Sequence, residues 1–300
     1  MTENRVGVLG ATGLTGSSLL PLLIAEGWQV SAFSRSSGAE KTLDDPAGHD
    51  GRLQWLQLGE DPEPLLDAWI SIAPVWQLPE YFELIAASGA KRIIALSSTS
   101  RFTKTRSADC GEQAVVALLA EGEARLQSWA DARGIEWVIL RPTLIYGAGR
   151  DHNISSMLRF IRRFGFLPVL GPARGLRQPI HVADVAQACV AALTAPAAAD
   201  RDYNLSGGET LSYRQMCERL FSALGRRPRL VRLPIFVLSL CRPLQRLLPT
   251  RLRWLVDMVE RMNLDLVFDH SAAASDLGFR PRPFVLEEND LQDRSGRILP

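Results

Sequence analysis

The sequence is poor in the residues that build special-purpose sites. Its four cysteines, Cys110, Cys189, Cys217 and Cys241, lie far apart and form no CxxC pair. That excludes a disulfide framework and points to buried free thiols in a reducing, intracellular compartment. Histidine is equally scarce. His49, His152, His181 and His270 are scattered, none at the spacing two ligands on one helix require, so no metal is expected. Net charge is nearly absent, with Lys+Arg 34 against Asp+Glu 33. The balance gives no electrostatic footprint for nucleic acid. Local basic clusters, such as Arg226 with Arg227 and Arg251 with Arg253, read as solvated helix ends. The longest apolar run, residues 233–241, is too short to span a bilayer. The first residues carry no charged-then-apolar signal pattern, so a cytoplasmic location is expected.

What is present is an ordinary globular composition, 46% hydrophobic over 300 residues. That is enough for one large α/β domain or a domain plus a smaller lobe. The first half alternates strand-like and helix-like segments, the pattern of a parallel sheet covered by helices. Residues 6–9 form a short apolar run that stops at a glycine, and a helix from about 14 to 26 follows, with Gly27 as its C-terminal stop. Strands are expected at 29–33, 53–58, 69–73, 92–96 and 137–140, with a helix over 110–132 ended by Gly134. Pro21 falls inside the first helix, beyond the turn where proline is harmless, and predicts a local kink.

After Arg141-Pro142 the texture changes. Gly147, Gly149, Gly165, Gly171 and Gly175, with Pro168 and Pro172, cut the chain into loops around a basic helix near 157–163. From Leu211 the sequence is helix-rich and proline-punctuated. The expected architecture is a doubly wound Rossmann sheet with a smaller, helix-rich C-terminal substrate lobe. Residues 1–150 and 178–206 would form the cofactor domain, and 151–177 with 207–300 the lobe.

The strongest motif is Gly10-Ala11-Thr12-Gly13-Leu14-Thr15-Gly16, set between a strand and a helix. Gly10 permits the tight turn, Gly13 lets backbone N–H groups approach a pyrophosphate, and Gly16 lets the helix pack on the sheet. The helix N-terminus supplies partial positive charge to the phosphates. A tight turn without a ligand is the bland alternative. About twenty residues on, where an acidic residue would hold a free ribose 2′-hydroxyl, the chain reads Ser34-Arg35-Ser36. Arg35 suits a 2′-phosphate and can stack on adenine, so NADP(H) is favoured over NAD(H).

These residues resemble the short-chain dehydrogenase/reductase superfamily in its extended and atypical branches, which include NAD-dependent epimerase/dehydratase-like proteins. The resemblance continues through Ser97-Ser98-Thr99-Ser100 and Leu140-Arg141-Pro142-Thr143-Leu144-Ile145-Tyr146-Gly147. It runs on through Gln178-Pro179-Ile180-His181-Val182-Ala183-Asp184-Val185-Ala186, Tyr203-Asn204-Leu205-Ser206-Gly207-Gly208 and Leu277-Gly278-Phe279-Arg280-Pro281. Expected cofactor contacts are Gly10, Thr12, Gly13, Leu14, Thr15 and Gly16 in the loop, and Ser34 and Arg35 after the second strand. Ala73, Pro74, Ser97, Pro142, Thr143 and Ile145 complete the set, and Trp76, near Trp69, could wall the pocket or simply be buried. His181 and Asp184, in the segment matching the family's HV-x-D motif, are read as structural.

The resemblance implies a Ser/Thr, Tyr and Lys that carry proton transfer. Thr99 or Ser98 matches the hydroxyl. Counting back from Gly134 and Glu123, the Tyr and Lys positions fall on Val115 and Leu119, neither of which exchanges a proton. Tyr81, Tyr146, Tyr203 and Tyr213 all lie outside that helix. Glu121, Glu123 and His152 are alternative donors, although Glu121, Glu123 and Arg125 are most simply a solvated helix face; the resemblance adds that the glutamate matched by Glu123 is usually structural. Purely apolar walls around Val115 and Leu119 would count against catalysis. Arg150, Arg159, Arg162 and Arg163 could face an anionic substrate, but an ordinary basic helix face is the simpler reading. The segment 234–248, apolar with Arg242 and Arg246, could be a lid or lie on a membrane, with packing inside the lobe more economical.

Two readings stand. One is an oxidoreductase or epimerase-type enzyme on a small carbonyl or sugar-like substrate, monomeric or homodimeric and without nucleic acid or a transmembrane segment. The other is a non-catalytic NADP(H)-binding redox sensor or accessory subunit.

Overall fold

The computed structural model describes residues 4–35, 51–59, 65–103, 110–233 and 262–292. Ser36, His49, Cys241, the segment 234–248 and the pair Arg251 and Arg253 lie outside these residues, as does the side chain of Cys110.

β1 (Arg5–Leu9) leads through the glycine loop into α1 (Leu14–Ala25), then β2 (Gln29–Ser34), β3 (Leu53–Gln57) and β4 (Ala68–Ser71). A 3-10 segment, Val75–Tyr81, precedes α2 (Phe82–Ala87), β5 (Arg92–Leu96), the short α3 (Ser100–Thr103), the long α4 (Cys110–Arg133) and β6 (Glu136–Pro142). The chain continues with β7 (Ile145–Tyr146), α5 (Ile154–Phe164), β8 (Leu167–Leu170), β9 (Leu176–Arg177) and β10 (Ile180–His181). Then come α6 (Val182–Thr194), β11 (Arg201–Leu205), β12 (Leu211–Ser212), α7 (Tyr213–Ala223), β13 (Leu230–Leu233) and α8 (Ser271–Leu277). Two compact units result. The first holds Met1–Thr143, Val182–Leu205 and Asp269–Arg280; the second holds Leu144–His181, Ser206–Phe268 and Pro281–Pro300.

In the first unit seven strands form one sheet in the order β3-β2-β1-β4-β5-β6-β11, every neighbouring pair parallel. This is the Rossmann arrangement: strand order reverses between β1 and β4, and beyond the carboxyl ends of strands at such a switch point this class of fold places its ligands. Buried on both faces, the inner strands read as continuous apolar runs rather than alternating ones. Trp69 in β4 is fully buried; its indole N–H donates to Ser88 Oγ at 2.8 Å and its ring stacks on Phe33 at 4.9 Å. Gly7 on the adjacent strand makes room, because a Cβ there would lie 2.7 Å from the indole.

α1 is continuous through Pro21, which is exposed. Its missing N–H removes the helical bond that the Ser17 carbonyl, one turn earlier, would otherwise accept. Gly27 takes φ +86°, and ends the helix as its position predicts.

The second unit has its own core, in which Tyr146, Met157, Leu158, Ile161, Leu167, Phe221 and Phe284 are all buried. It has three two-stranded pairings, β7 with β10, β9 with β12 and β8 with β13. Asp151 starts α5 by accepting from Ile154 N–H at 2.6 Å and Ser155 Oγ–H at 2.6 Å, and Gly165 at φ +75° stops it. Among the described residues no helix is long and apolar enough to cross a membrane.

Candidate functional site

The loop after β1 has the shape its glycines require. A Cβ on Gly10, which sits at φ +81°, would lie 2.7 Å from Ala73 N and 3.0 Å from the Ile72 carbonyl carbon. Gly10 therefore lets β1 turn against the end of β4, joined there by the bond from Ile72 N–H to Leu9 O at 2.9 Å. Gly16 serves packing: its Cβ would fall 1.8 Å from Ala11 O. Gly13 differs from both. It is exposed in an extended conformation, φ −72° and ψ 178°, and its Cβ would meet within 4 Å only Gly10 O, at 3.1 Å. A side chain at Gly13 would press on the Gly10 carbonyl and otherwise enter the space outside the loop.

That space faces the N-terminus of α1. The cap residue is Gly13, no side chain caps the helix, and no acidic residue lies in its first turn. The first N–H groups of a twelve-residue helix are thus left without a side-chain acceptor beside a glycine loop, the arrangement that receives an anion. Thr12 and Leu14 are partly buried, Thr15 is buried, Ser34 ends β2 half-buried, and Arg35 beyond it is exposed. Ala73 and Pro74 follow β4 at the strand-order switch, Ala73 half-buried and Pro74 exposed. Trp76 is half-buried against the first unit's core.

At the end of β5 the three candidate hydroxyls are all engaged within the protein. Ser97 Oγ–H donates to Glu123 Oε1 at 2.5 Å, Ser98 Oγ accepts from Ser100 N–H at 3.1 Å, and Thr99 Oγ1–H donates to Pro142 O at 3.2 Å. Thr143 N–H bonds Leu205 O at 2.9 Å, fixing the end of β6 beside β11. Ile145 lies in β7 of the second unit, paired in register with Ile180.

Glu123 is not part of a solvated face. Glu121 and Arg125 are exposed as expected, but Glu123 is fully buried. Arg141 donates to its Oε2 from Nη2 at 2.7 Å and bridges both oxygens from Nε at 3.1 and 3.2 Å; Arg101 Nη1 contacts Oε2 as well. Arg141 reaches Asp202 with Nη1, and its guanidinium lies 5.3 Å from the Phe102 ring centroid. Burial and the neighbouring Arg141 lower the pKa of the Arg101 guanidinium, with Asp202 opposing. The sequence held the signal for this pair. A buried charge must be paired, and Arg141 interrupts the apolar run Trp137-Val138-Ile139-Leu140 with the nearest buried acid on α4. Gly122 permits the approach of α4, since its Cβ would lie 2.8 Å from Trp76 N.

Leu119, one turn before Glu123, is buried in the core of the first unit, and Val115 packs against that core. His152 is exposed in the second unit. Asp184 is buried in the first turn of α6, and His181 Nε2 meets Asp290 Oδ1 at 3.3 Å within the second unit. Burial pushes the Asp290 carboxyl up, but bonds from His181, Glu287 N–H and Ala148 N–H outweigh it and hold the group below its ordinary range. Among the described residues no group of three or more His, Cys, Asp or Glu is placed to hold a metal ion.

The sheet order and the glycine loop define a dinucleotide-binding type of fold. Residues 81–206 match the NAD dependent epimerase/dehydratase family. The chain is 29% identical over 141 residues to NADH dehydrogenase (ubiquinone) 1 alpha subcomplex subunit 9, mitochondrial, of Arabidopsis thaliana, across 47% of this chain and 31% of that one. It is 27% identical over 169 residues to UDP-glucose 4-epimerase of Vibrio cholerae, across 56% of this chain and 49% of that one. The matched stretches span less than half the length of either relative. Among solved structures, UDP-glucuronic acid 4-epimerase from Bacillus cereus in complex with NAD shares the fold at a TM-score of 0.70 and 16% identity, covering 93% of this chain and 94% of that one. The resemblance to epimerase/dehydratase-like members of the short-chain dehydrogenase/reductase superfamily holds, by sequence over 81–206 and by fold over the parallel sheet.

Proposed function

We propose that this chain binds NADP(H) at the loop Gly10–Gly16 and acts as an oxidoreductase or epimerase-type enzyme on a small carbonyl or sugar-like substrate. The observation that carries the reading is the uncapped, acid-free N-terminus of α1 behind a glycine whose Cβ would meet, beyond its chain neighbours, the Gly10 carbonyl alone. The residues fit a dinucleotide: Leu14 and Thr15 offer N–H groups to the pyrophosphate while the Gly13 N–H holds the turn by donating to Gly10 O at 2.9 Å, Ser34 and Arg35 reach the adenine ribose, and Ala73 and Pro74 flank it at the switch point. Arg35 favours a 2′-phosphate, because a guanidinium pairs with phosphate in two-pronged fashion and nothing at Ser34 competes for a free hydroxyl. When bound, the nicotinamide supplies hydride transfer, and the protein contributes orientation and charge. Substrate recognition is assigned to the second unit. The epimerases among the relatives support a sugar-like substrate.

α4 carries a second reading. Val115 and Leu119 occupy the positions expected for Tyr and Lys, Glu123 is held in ion pairs, and Glu121 is exposed. That favours a dinucleotide-binding protein without turnover, a redox sensor or accessory subunit, a role to which the likeness to a respiratory-chain subunit lends support.

Calorimetric titration with NADPH and NADH, followed by NADPH oxidation against a panel of carbonyls, tests both. Tight NADPH binding with turnover supports the enzyme; tight binding without turnover on any carbonyl leaves the second reading; binding of neither cofactor defeats both. Arg35→Ala is expected to weaken NADPH by about 1.5–3 kcal/mol, the worth of hydrogen bonds to a charged group, and NADH far less. Equal loss for both would remove the case for 2′-phosphate recognition.

A further inference from the structure

The near-zero charge of the whole chain hides a split between its units. The second unit carries 20 of the 34 Lys+Arg residues but only 10 of the 33 Asp+Glu residues, leaving the first with 14 and 23. No Asp or Glu occurs from 152 to 183 or from 219 to 256.

These two acid-free stretches meet within the second unit. β13 pairs with β8, Leu230 beside Leu167 and Arg232 beside Val169, and Leu167 N–H donates to Arg229 O at 3.0 Å. Arg226 Nη1 donates to Ile161 O at 2.8 Å and Arg162 O at 3.1 Å, bringing the segment 225–229 to the end of α5. Three phenylalanines gather at that corner. Phe160 lies 4.6 Å from Phe164 and 5.6 Å from Phe166 between ring centroids. Phe164 is 50% exposed with the Arg163 guanidinium 5.5 Å from its centroid, and Val231, paired with Pro168, is 45% exposed.

Helix-end electrostatics explains part of the cluster, because Arg162 and Arg163 occupy the last turn of α5 and Arg226 bonds its terminal carbonyls. It does not explain the exposed Arg159, which is one turn back on the side of Arg163 and repels it. Nor does it explain Arg227, Arg229 and Arg232, all exposed. Among the described residues none of these four pairs with a carboxylate.

We propose that this face of the second unit docks on an anionic lipid surface, its arginines gathering headgroup phosphates while Phe164 and Val231 enter the interface. Basic residues around exposed apolar side chains are what such a surface selects, and the attraction fades within a Debye length. Nucleic acid is the weaker fit. Phosphates alone leave Phe164 and Val231 in water, and Phe164 is flanked by Phe160 and Arg163 rather than offering a ring for a stacked base.

The test is co-sedimentation of the full chain with phosphatidylcholine vesicles and with vesicles containing about one third phosphatidylserine. It is run at about 0.1 M and about 1 M salt, where the Debye length falls from about 10 Å to about 3 Å. We expect binding to the anionic vesicles at low salt, at least about tenfold weaker in high salt or on neutral lipid. Arg159→Glu with Arg163→Glu should cut it at least about fivefold, as should Phe164→Ser alone, whereas Arg125→Glu on the first unit should not. Thermal melts confirm that each variant folds, and Phe164→Ser decides if the charge reversal does not. Equal binding to neutral vesicles, no binding to either, variants that bind like the parent, or retention on duplex DNA without vesicle binding would each overturn the proposal.

Discussion

The first unit lays seven parallel strands in one sheet and carries an excess of acidic residues, while the second joins three short strand pairs to helices and carries twice as many basic residues as acidic ones. Each has its own buried cluster, centred on Trp69, Leu126 and Ile139 in the first and on Tyr146, Leu158 and Phe221 in the second. The difference teaches where a ligand site can arise. A parallel sheet whose strand order reverses is where this class of fold places a ligand, and in the first unit that reversal lies beside a glycine loop. The described residues of the second unit form strand pairs rather than such a sheet, and its distinctive property is its charge.

The comparison breaks most readily at two glycines in one loop. Gly16→Val drives a side chain into Ala11 O and is expected to cost about 3 kcal/mol or more by overpacking. A melting curve should then show the first unit weakened. Gly13→Val meets a milder contact, 3.1 Å from Gly10 O, so stability should fall by less than in Gly16→Val while NADPH affinity falls at least about 100-fold, or about 2.8 kcal/mol. Unchanged affinity in a folded Gly13→Val variant would move the cofactor site elsewhere.

Glu123 gives the next largest effect. Glu123→Leu leaves Arg141 buried without a full countercharge, and loss of one partner of a buried pair costs about 3–5 kcal/mol. Urea unfolding measures it, with Glu123→Gln keeping shape and part of the bonding. A loss below about 1 kcal/mol for the leucine variant would mean that Asp202 alone satisfies Arg141.

How much of this was legible in the sequence follows the same division. A parallel sheet forces short apolar runs bounded by glycine, so β1 to β6, α1, α4 and the loop Gly10–Gly16 were read close to their actual limits, whereas β11, with Arg201, Asp202 and Asn204 in its five residues, was not read as a strand. Glu123 was not, because Glu121 and Arg125 beside it make the helix look solvated and its partner Arg141 lies 18 residues on. The bond between Tyr203 and Asp276 spans 73 residues and that between His181 and Asp290 spans 109, distances over which no local pattern carries information. The charge split is invisible until the chain is divided by its contacts, since the total is nearly neutral.

Asp290 sharpens the comparison by pH. Its carboxyl titrates lower in the folded second unit than in the unfolded chain, where it is near the ordinary value of about 3.9. Its contribution is therefore present above that value and lost as pH falls through the folded one. Asp290→Asn should cost about 1.5–3 kcal/mol near neutral pH and progressively less in acid, measured by unfolding across a pH series. A cost that stays constant with pH would show that the amide replaces the carboxylate's bonds and that its charge does not matter.

The smallest effect is kinetic and reads the two units separately. Cys189 in α6 is fully buried in the first unit, and burial pushes its thiol up to about 12; Cys217 in α7 is buried in the second, its thiol likewise pushed up by burial. Neither presents thiolate to an alkylating reagent in the native state, so each labels only when its own unit opens. Pulse alkylation with peptide mass mapping follows both sites in one sample without further substitutions. In the Gly16→Val variant Cys189 should label faster than in the parent while Cys217 keeps its rate. If both accelerate together, the units open as one cooperative body, and a defect in the glycine loop reaches the basic face as well.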